Sequence, residues 1–313
     1  MRSALGFLTP FGPATTPGPR TLRWFPAVGA GIGAVVGTVW WASARAWGPT
    51  LVPAALAVAA DLALTGMLHM DGLADSADGL LPHLSRDRRL QVMSQPDIGA
   101  FGLTVTAAVL LVRFAALASQ TTEIALVAGV WCLSRTMMVA ATLWMPYARQ
   151  TGLASAFLGD TRSAAATVVA VGSGAGTALV FWGRGGGGVA GLAVGAAAGA
   201  AVMALARRRL GGFTGDVLGA TAVITETVAL LVADANIHSG VPRTDQYTLT
   251  SDSYVLQGGD PWGFDTGAAF GLSQARGVYV FSQPVTEPAS LALLATGLPL
   301  CVLLNSRRRR TAT

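Results

Sequence analysis

The feature that most constrains this chain is a series of apolar stretches, each long enough to cross a lipid bilayer. A transmembrane helix needs roughly 20 mainly apolar residues. Candidate stretches lie near residues 27–47, 51–70, 100–119, 122–145, 164–182, 189–206 and 217–235, with a shorter eighth at 289–305. Only 12% of the residues are charged, against about 25% in soluble domains. The sequence therefore predicts an all-α, polytopic membrane bundle of about seven core helices plus one C-terminal helix.

The positions of the arginines predict the orientation of this bundle. The chain contains no lysine, and its arginines collect before the first stretch and after the second, fourth and sixth. Positive charge in short connections favours the cytoplasmic side, so these connections are expected to face the cytoplasm from the cell's inner or plasma membrane. Orientation in the bilayer accounts for the basic composition, and no nucleic-acid partner is expected.

Three polar blocks, at 69–99, 146–163 and 207–216, fall on this same side. Connections that converge on one face could build a single site, whereas a transporter more often places its ionisable groups near the middle of the bilayer. The arrangement favours chemistry at the membrane surface. A transporter stays as the non-enzymatic alternative.

The most acidic segment is His69 to Gly79, at the end of the second stretch. Asp71, Asp75 and Asp78 are spaced i, i+4 and i+7, which would place them on one face of a helix. Such carboxylates repel one another unless a cation lies among them, and Mg²⁺, usually held by a few carboxylates together with substrate phosphates, fits best. His69 could be a base, a ligand or an interfacial residue. The alternative is a solvated helix end with a cap at Asp71.

Two further blocks carry groups suited to phosphate. Arg86 and its neighbouring arginines could pair with phosphate oxygens, although this block taken alone is better explained as a positively charged cytoplasmic loop with a turn before the third stretch. Gly211 to Ala220 contains Asp216 at the start of the seventh stretch, and a helix N-terminus favours anions. Asp216 could instead serve only as a helix cap.

Ionisable side chains also occur inside the apolar stretches, at Asp61, Arg113, Glu123, Arg135 and Glu226. Charged groups in such positions usually face the bundle interior and pair with one another. We expect an ion pair between Arg135 and Glu226.

Several of these blocks together resemble one family, the cobalamin synthases, or adenosylcobinamide-GDP ribazoletransferases. His69 to Gly79 match the pattern H-x-D-G-L-A-D-x-x-D-G at every specified position, and Gly211 to Ala220 match a later block of the family. Between them, Asp97 to Gly102, Ser134-Arg135 and Tyr147-Ala148-Arg149 are similar to further family blocks. The resemblance covers residues 1–234, which we expect to form the membrane-embedded core.

This resemblance implies a reaction and a set of roles. The family joins the 3′-hydroxyl of α-ribazole, or of its 5′-phosphate, to the phosphate of adenosylcobinamide-GDP with release of GMP, late in cobalamin biosynthesis and with Mg²⁺ as cofactor. The implied catalytic residues are His69, Asp71, Asp75, Asp78 and Asp216, with Asp71, Asp75 and Asp78 as metal ligands. The implied substrate-binding residues are Arg86, Arg135, Tyr147, Arg149, Gly211, Gly212, Thr214 and Gly215. The alternative enzyme is a CDP-alcohol phosphotransferase, which also uses membrane-face aspartates, although no Ala-Arg follows Asp71-Gly72 as its pattern requires.

The C-terminal part differs in composition from the core. Residues 235–284 are polar and are expected to form a poorly ordered extracytoplasmic segment. Residues 285–313 combine a Glu-Pro pair, a short apolar run and the cluster Arg307 to Arg310, which resembles a PEP-CTERM sorting signal. An ordinary eighth span is the alternative, and a gene fusion or a mis-joined reading frame would explain such a signal behind an enzyme core.

Overall fold

The structure is a computed structural model, which describes residues 1–12, 17–157 and 162–233. The expectations for segments 235–284 and 285–313, including the eighth span, lie outside these residues. The described helices are α1 Arg2–Leu8, α2 Phe25–Trp47, α3 Val52–Thr65, α4 Leu68–Leu80, α5 Arg86–Val92, α6 Ala100–Ala118, α7 Ile124–Trp144, α8 Arg162–Leu210 and α9 Gly215–Ala233. The described residues contain no strand beyond an isolated bridge between Tyr147 and Phe213, and the prediction of an all-α membrane bundle is confirmed.

Five described helical segments are long and apolar enough to cross a membrane: Pro19–Trp47, Ala100–Ala118, Ile124–Trp144, Ser163–Leu210 and Gly215–Ala233. Helices α3 and α4 meet this criterion only as a pair, and they are bent by 88° at their junction. The span predicted near 51–70 is therefore not a single straight helix, and whether this bent pair crosses the membrane stays a prediction. Gly66 and Met67 both adopt positive φ values, 58° and 59°, which end α3 and re-aim the chain.

Helix α8 contains a reversal at Gly185, where the backbone leaves helical geometry with φ 63°. A Cβ added at Gly188 would lie 2.6 Å from Val180 Cγ1, whereas eight residues of continuous helix extend over about 12 Å. Residues 162–184 and 186–210 are thus two antiparallel segments, in line with the separate stretches predicted at 164–182 and 189–206. The total of seven core spans stays a prediction.

Glycines on several helices allow close packing. A Cβ at Gly29 of α2 would lie 2.5 Å from the carbonyl oxygen of Trp131 on α7, and one at Gly195 of α8 would lie 2.6 Å from that of Thr225 on α9. Small residues are the usual means of helix association in lipid, where burial of apolar surface provides little driving force. These contacts bring α2, α7, α8 and α9 together into one bundle, and α4 packs against it through α6 and α9.

Candidate functional site

The first and last sequence blocks meet where α4 packs against α9. A Cβ at Gly72 would lie 2.8 Å from the backbone oxygen of Asp216, and one at Gly219 would lie 3.1 Å from the Cα of His69. Met70 and Leu73 of α4 share an apolar cluster with Ala220. The absence of a side chain at Gly72 lets the two backbones touch, and Asp216 is thereby placed beside the acidic face of α4.

Four carboxylates collect around this contact. Asp71, Asp78 and Asp216 all lie close enough to Asp75 for electrostatic repulsion, and Arg149 is the positive group that offsets it. Asp71 is exposed and Asp75 is partly exposed. A group of four acids near one arginine is unfavourable unless a proton or a further cation joins it.

Asp78 is different from the other three. Its carboxylate oxygens accept backbone hydrogen bonds from Gly99 N–H at 2.7 Å and Gly102 N–H at 2.8 Å, at the N-terminus of α6. Side chains at Gly99 or Gly102 would collide with this carboxylate. A carboxylate at this position satisfies free N–H groups and favours the positive end of the helix dipole. Its assignment as a metal ligand stays a prediction, and these contacts assign it a role in positioning α6.

Asp216 forms an ion pair with Arg149, whose Nη2 lies 3.0 Å from Asp216 Oδ2. The same nitrogen donates to the carbonyl oxygen of Met93 at 3.0 Å, while Arg149 Nε has no partner among the described residues. Thr214 Oγ1 donates to Asp216 Oδ2 at 3.2 Å and accepts from Val217 N–H at 3.3 Å. The predicted residues Arg149, Thr214 and Asp216 therefore form one connected group at the start of α9.

The predicted glycines Gly211 and Gly212 lie in the connection before α9, and they allow it to pack against the connection that follows α7. Phe213 N–H donates to the Pro146 carbonyl at 2.9 Å, and Ala148 N–H donates to the Phe213 carbonyl at 2.9 Å. A side chain at Gly212 would collide with the Pro146 carbonyl oxygen, and Gly211 has a φ of 81° that favours glycine. These residues act through the backbone, and Gly215 opens α9 next to them.

Tyr147 packs edge-on against Phe213 with ring centroids 5.3 Å apart. Burial raises the pKa of its phenol, which the nearby Arg149 partly counters. The phenol therefore stays protonated near neutral pH and can donate a hydrogen bond.

Arg86, on α5, connects this helix to the end of α8 and to the connection after α7. Its Nε donates to the Leu210 carbonyl at 2.7 Å and its Nη2 to the Ala148 carbonyl at 2.9 Å. Helix α5 and residues 147–151 enclose an open cleft of about 720 Å³, whose polar lining includes Arg86, Asp87, Gln91, Ser94, Arg149 and Thr151. The cleft was not predicted from the sequence, because it arises only from the contact between two connections 60 residues apart along the chain.

A second charged group lies in the interior of the bundle. Arg113 pairs with Asp61 at 2.5 Å and with Glu226 at 2.9 Å, and Arg135 pairs with Glu226. Trp131 Nε1 donates to Asp61 at 2.9 Å and Ser134 Oγ to Glu226 at 2.8 Å. The expected Arg135–Glu226 pair is confirmed. The part played by Arg113 and Asp61 was missed, although a basic and an acidic residue in two apolar stretches are a signal for such pairing.

His69 and Arg135 lie on the inner side of the site. Both are buried, Arg135 completely and His69 with 4% exposure, and the guanidiniums of Arg135 and Arg113 act electrostatically on His69. His69 Nε2 has no hydrogen-bond partner among the described residues. The structure thus places Arg135 in the interior group, away from the exposed residues Asp71 and Arg86, and its assignment to substrate binding stays a prediction.

The donor set at α4 and α9 suits a hard divalent cation. No three or more His, Cys, Asp or Glu side chains in the described residues are arranged to hold a metal ion as they stand. Magnesium, however, is usually bound through one or two carboxylates together with substrate phosphates. The accessible Asp71 and Asp75, with excess negative charge around them, provide that number of ligands.

Comparison with known proteins identifies relatives over most of the chain. The model of the family described as cobalamin-5-phosphate synthase matches residues 1–233. An adenosylcobinamide-GDP ribazoletransferase from Leptothrix cholodnii is 38% identical over 67% of this chain and 82% of the relative. Proteins of the same name from Chlorobium phaeovibrioides and Stutzerimonas stutzeri are each 35% identical, over 86% and 94% of their own lengths. No solved structure matches the chain.

Proposed function

The chain belongs to the cobalamin-5-phosphate synthase family, and from this membership we propose the activity for which its relatives are named, adenosylcobinamide-GDP ribazole transfer. It is a membrane transferase of the late cobalamin pathway. The family expectation drawn from the sequence is confirmed, and it takes the place of both the CDP-alcohol phosphotransferase and the transporter alternatives.

The observation that carries the proposal is the contact between α4 and α9. It unites Asp71 and Asp75 with the Arg149–Asp216 pair, so that carboxylates and a phosphate-binding arginine occupy one site. Such a combination suits a diphosphate whose negative charge must be balanced while a phosphoryl group moves.

In the proposed reaction the 3′-hydroxyl oxygen of α-ribazole, or of its 5′-phosphate, forms a bond to the cobinamide-linked phosphorus. The bond from that phosphorus to the GMP oxygen breaks, and GMP leaves with the electron pair. Asp71 and Asp75 would hold Mg²⁺, which when bound neutralises charge on the diphosphate. Asp216 would accept the hydroxyl proton, and Arg149 would contact the phosphate oxygens.

The other residues support these roles. Asp78 fixes the start of α6 beside the site, Thr214 orients Asp216, and Gly211, Gly212 and Gly215 shape the connection that carries it. The Tyr147 hydroxyl would donate to the substrate from the rim of the cleft. His69, on the buried side of α4, would act as an alternative proton acceptor if the ribazole hydroxyl reached Nε2.

We place the site on the cytoplasmic face of the inner or plasma membrane. The support is the charge pattern, since Arg86 and the cluster Arg207 to Arg209 lie on the same face of the bundle as the carboxylates. The two named substrates would then meet the enzyme from the cytoplasm.

The decisive experiment measures GMP release. Membranes containing the chain are incubated with adenosylcobinamide-GDP, α-ribazole and Mg²⁺, and matched membranes lacking the chain are the control. GMP should form only when both the corrinoid and α-ribazole are present, with a corrinoid product that carries the ribazole. Absence of GMP, or release that does not depend on α-ribazole, would contradict the proposal.

The metal is tested separately. Chelation should abolish GMP release, and added Mg²⁺ should restore it, because Asp71 and Asp75 are negatively charged like the diphosphate and can hold it only through a cation between them. Full activity in chelator would remove the magnesium proposal and leave the transfer reaction standing.

A further inference from the structure

The polar cleft beside the carboxylates is separate from the residues assigned to metal and proton transfer. It has a volume of about 720 Å³ and lies between α5 and residues 147–151, within the range of small-molecule sites. Its walls are formed mainly by polar side chains, including Gln91, Ser94 and Thr151.

Arg149 connects this cleft to the reacting groups. It lines the cleft and at the same time pairs with Asp216 at 3.0 Å. Its Nε is buried without a partner in the described residues, but 24% of the side-chain surface is exposed, so a ligand in the cleft can contact Arg149. A molecule in the cleft with a phosphate at Arg149 would therefore extend toward the carboxylates.

The chemistry of the lining distinguishes between the two substrates. The base of α-ribazole is a dimethylbenzimidazole, which is apolar and has no N–H donor once it is glycosylated. Guanine, the base of the leaving nucleotide, presents an N1–H and an amino group side by side on one edge. A polar lining suits guanine, because polar groups left without partners by an apolar base would lose hydrogen bonds to water.

Asp87 is the side chain in the cleft that can accept hydrogen bonds from the N1–H and the amino group of guanine. Its side chain is 93% exposed and pairs with Arg86 Nη1 at 3.4 Å, a long contact that leaves carboxylate oxygen free to accept. An ionised carboxylate is an acceptor with two oxygens and can receive two parallel N–H donors.

We propose that this cleft binds the guanosine monophosphate part of the nucleotide substrate, with Asp87 selecting guanine and Arg149 contacting the phosphate. The proposal rests on the proposed function, since it names the subsite for the leaving group of that reaction. Asp87 would be a specificity-determining residue that takes no part in bond making or breaking.

The test compares two nucleotides that differ at one atom of the recognised edge. Xanthosine monophosphate (XMP) has a carbonyl oxygen where GMP has the amino group, so it would face a carboxylate with an acceptor. The full chain in detergent is titrated with each nucleotide in the presence of Mg²⁺, by displacement of a fluorescent GMP analogue. The wild type should bind GMP about tenfold or more tightly than XMP.

The informative variant is Asp87→Asn, because an asparagine can donate to the xanthine oxygen. We expect it to lose affinity for GMP, to gain affinity for XMP and to reverse the preference. The matched control is Asp97→Asn, an exposed aspartate outside the cleft, which should keep the wild-type preference.

Two outcomes would overturn the subsite. One is a wild type that binds GMP and XMP equally, and the other is a D87N variant whose preference equals that of wild type. Either result would leave the proposed function standing. That function is tested by GMP release from adenosylcobinamide-GDP, which does not depend on which free nucleotide binds more tightly.

Discussion

The molecule contains two groups of charged residues that differ in their balance of charge. In the interior group, Asp61 and Glu226 face Arg113 and Arg135, two acids with two bases, and all four are buried. At the α4–α9 contact, Asp71, Asp75 and Asp216 share one arginine, Arg149, and Asp78 lies next to them with its carboxylate bonded to α6. The acidic and basic side chains of the interior group are equal in number, whereas acidic side chains are in excess at the α4–α9 contact.

This difference distinguishes structural from functional charge. A charge inside the bundle is tolerated when its partner is in place. Trp131 and Ser134 add hydrogen bonds to the carboxylates of the interior group, whereas Nε and Nη2 of Arg135 have no hydrogen-bond partner among the described residues. The surplus of carboxylates at the α4–α9 contact is tolerated because water reaches Asp71 and Asp75, and the proposed cation would relieve it. Substitutions in the two groups should therefore separate stability from activity.

The largest effect is expected in the interior group. Arg113→Leu would leave Asp61 and part of Glu226 without a partner, at a cost of about 3–5 kcal/mol. Thermal unfolding in detergent should show a large fall in midpoint. The double variant with Asp61→Leu should recover part of the loss, because it removes the unpaired carboxylate; a double variant less stable than the sum of the single changes would contradict the assigned pairing.

The second largest effect is expected at the α4–α9 contact, where activity should fall and stability should not. Asp75→Asn keeps the shape of the side chain but removes a charge that its neighbours repel, so unfolding should be unchanged or shifted slightly upward. GMP release should fall by roughly 100-fold, because the variant lacks one of the two proposed metal ligands. A variant that retained wild-type GMP release would remove Asp75 from the metal site.

The smallest effect is expected at Asp78, which belongs to neither group completely. Asp78→Asn replaces one acceptor oxygen by a donor facing a backbone N–H, at a cost of about 1–2 kcal/mol. GMP release should fall by about tenfold while the Mg²⁺ concentration for half-maximal rate stays unchanged. A rise in that concentration would instead establish Asp78 as a ligand, as the sequence alone suggested.

The sequence predicted the helical membrane bundle well because long apolar stretches permit few other structures. It did not predict the bend at Gly66 and Met67, since Thr65-Gly66-Met67 interrupts neither the apolar pattern nor the charge pattern. Sequence spacing grouped Asp78 with Asp71 and Asp75, but the partners of Asp78 are backbone N–H groups, which no side-chain pattern reveals.

The residues of the site were easier to find than their contacts. The acidic segment and the later glycine block stand out from apolar surroundings, so Asp71, Asp75 and Asp216 could be named as candidates, and the family resemblance of the Tyr147-Ala148-Arg149 block added Arg149. Their connection through Gly72 depends on two backbones meeting, and the partners of Arg113 lie 52 and 113 residues away. Contacts between residues so far apart in the sequence become visible only in the folded structure.

The bend between α3 and α4 has a consequence for the surrounding lipid. Helix α3 has 14 residues, a length of about 21 Å, whereas the hydrocarbon layer is about 30 Å thick. A bilayer accommodates a short helix by thinning around it, and the acidic face of α4 begins where this helix ends. We therefore expect GMP release to be slower in lipids with longer acyl chains, because a thicker bilayer would hinder the approach of water-soluble nucleotides to the carboxylates.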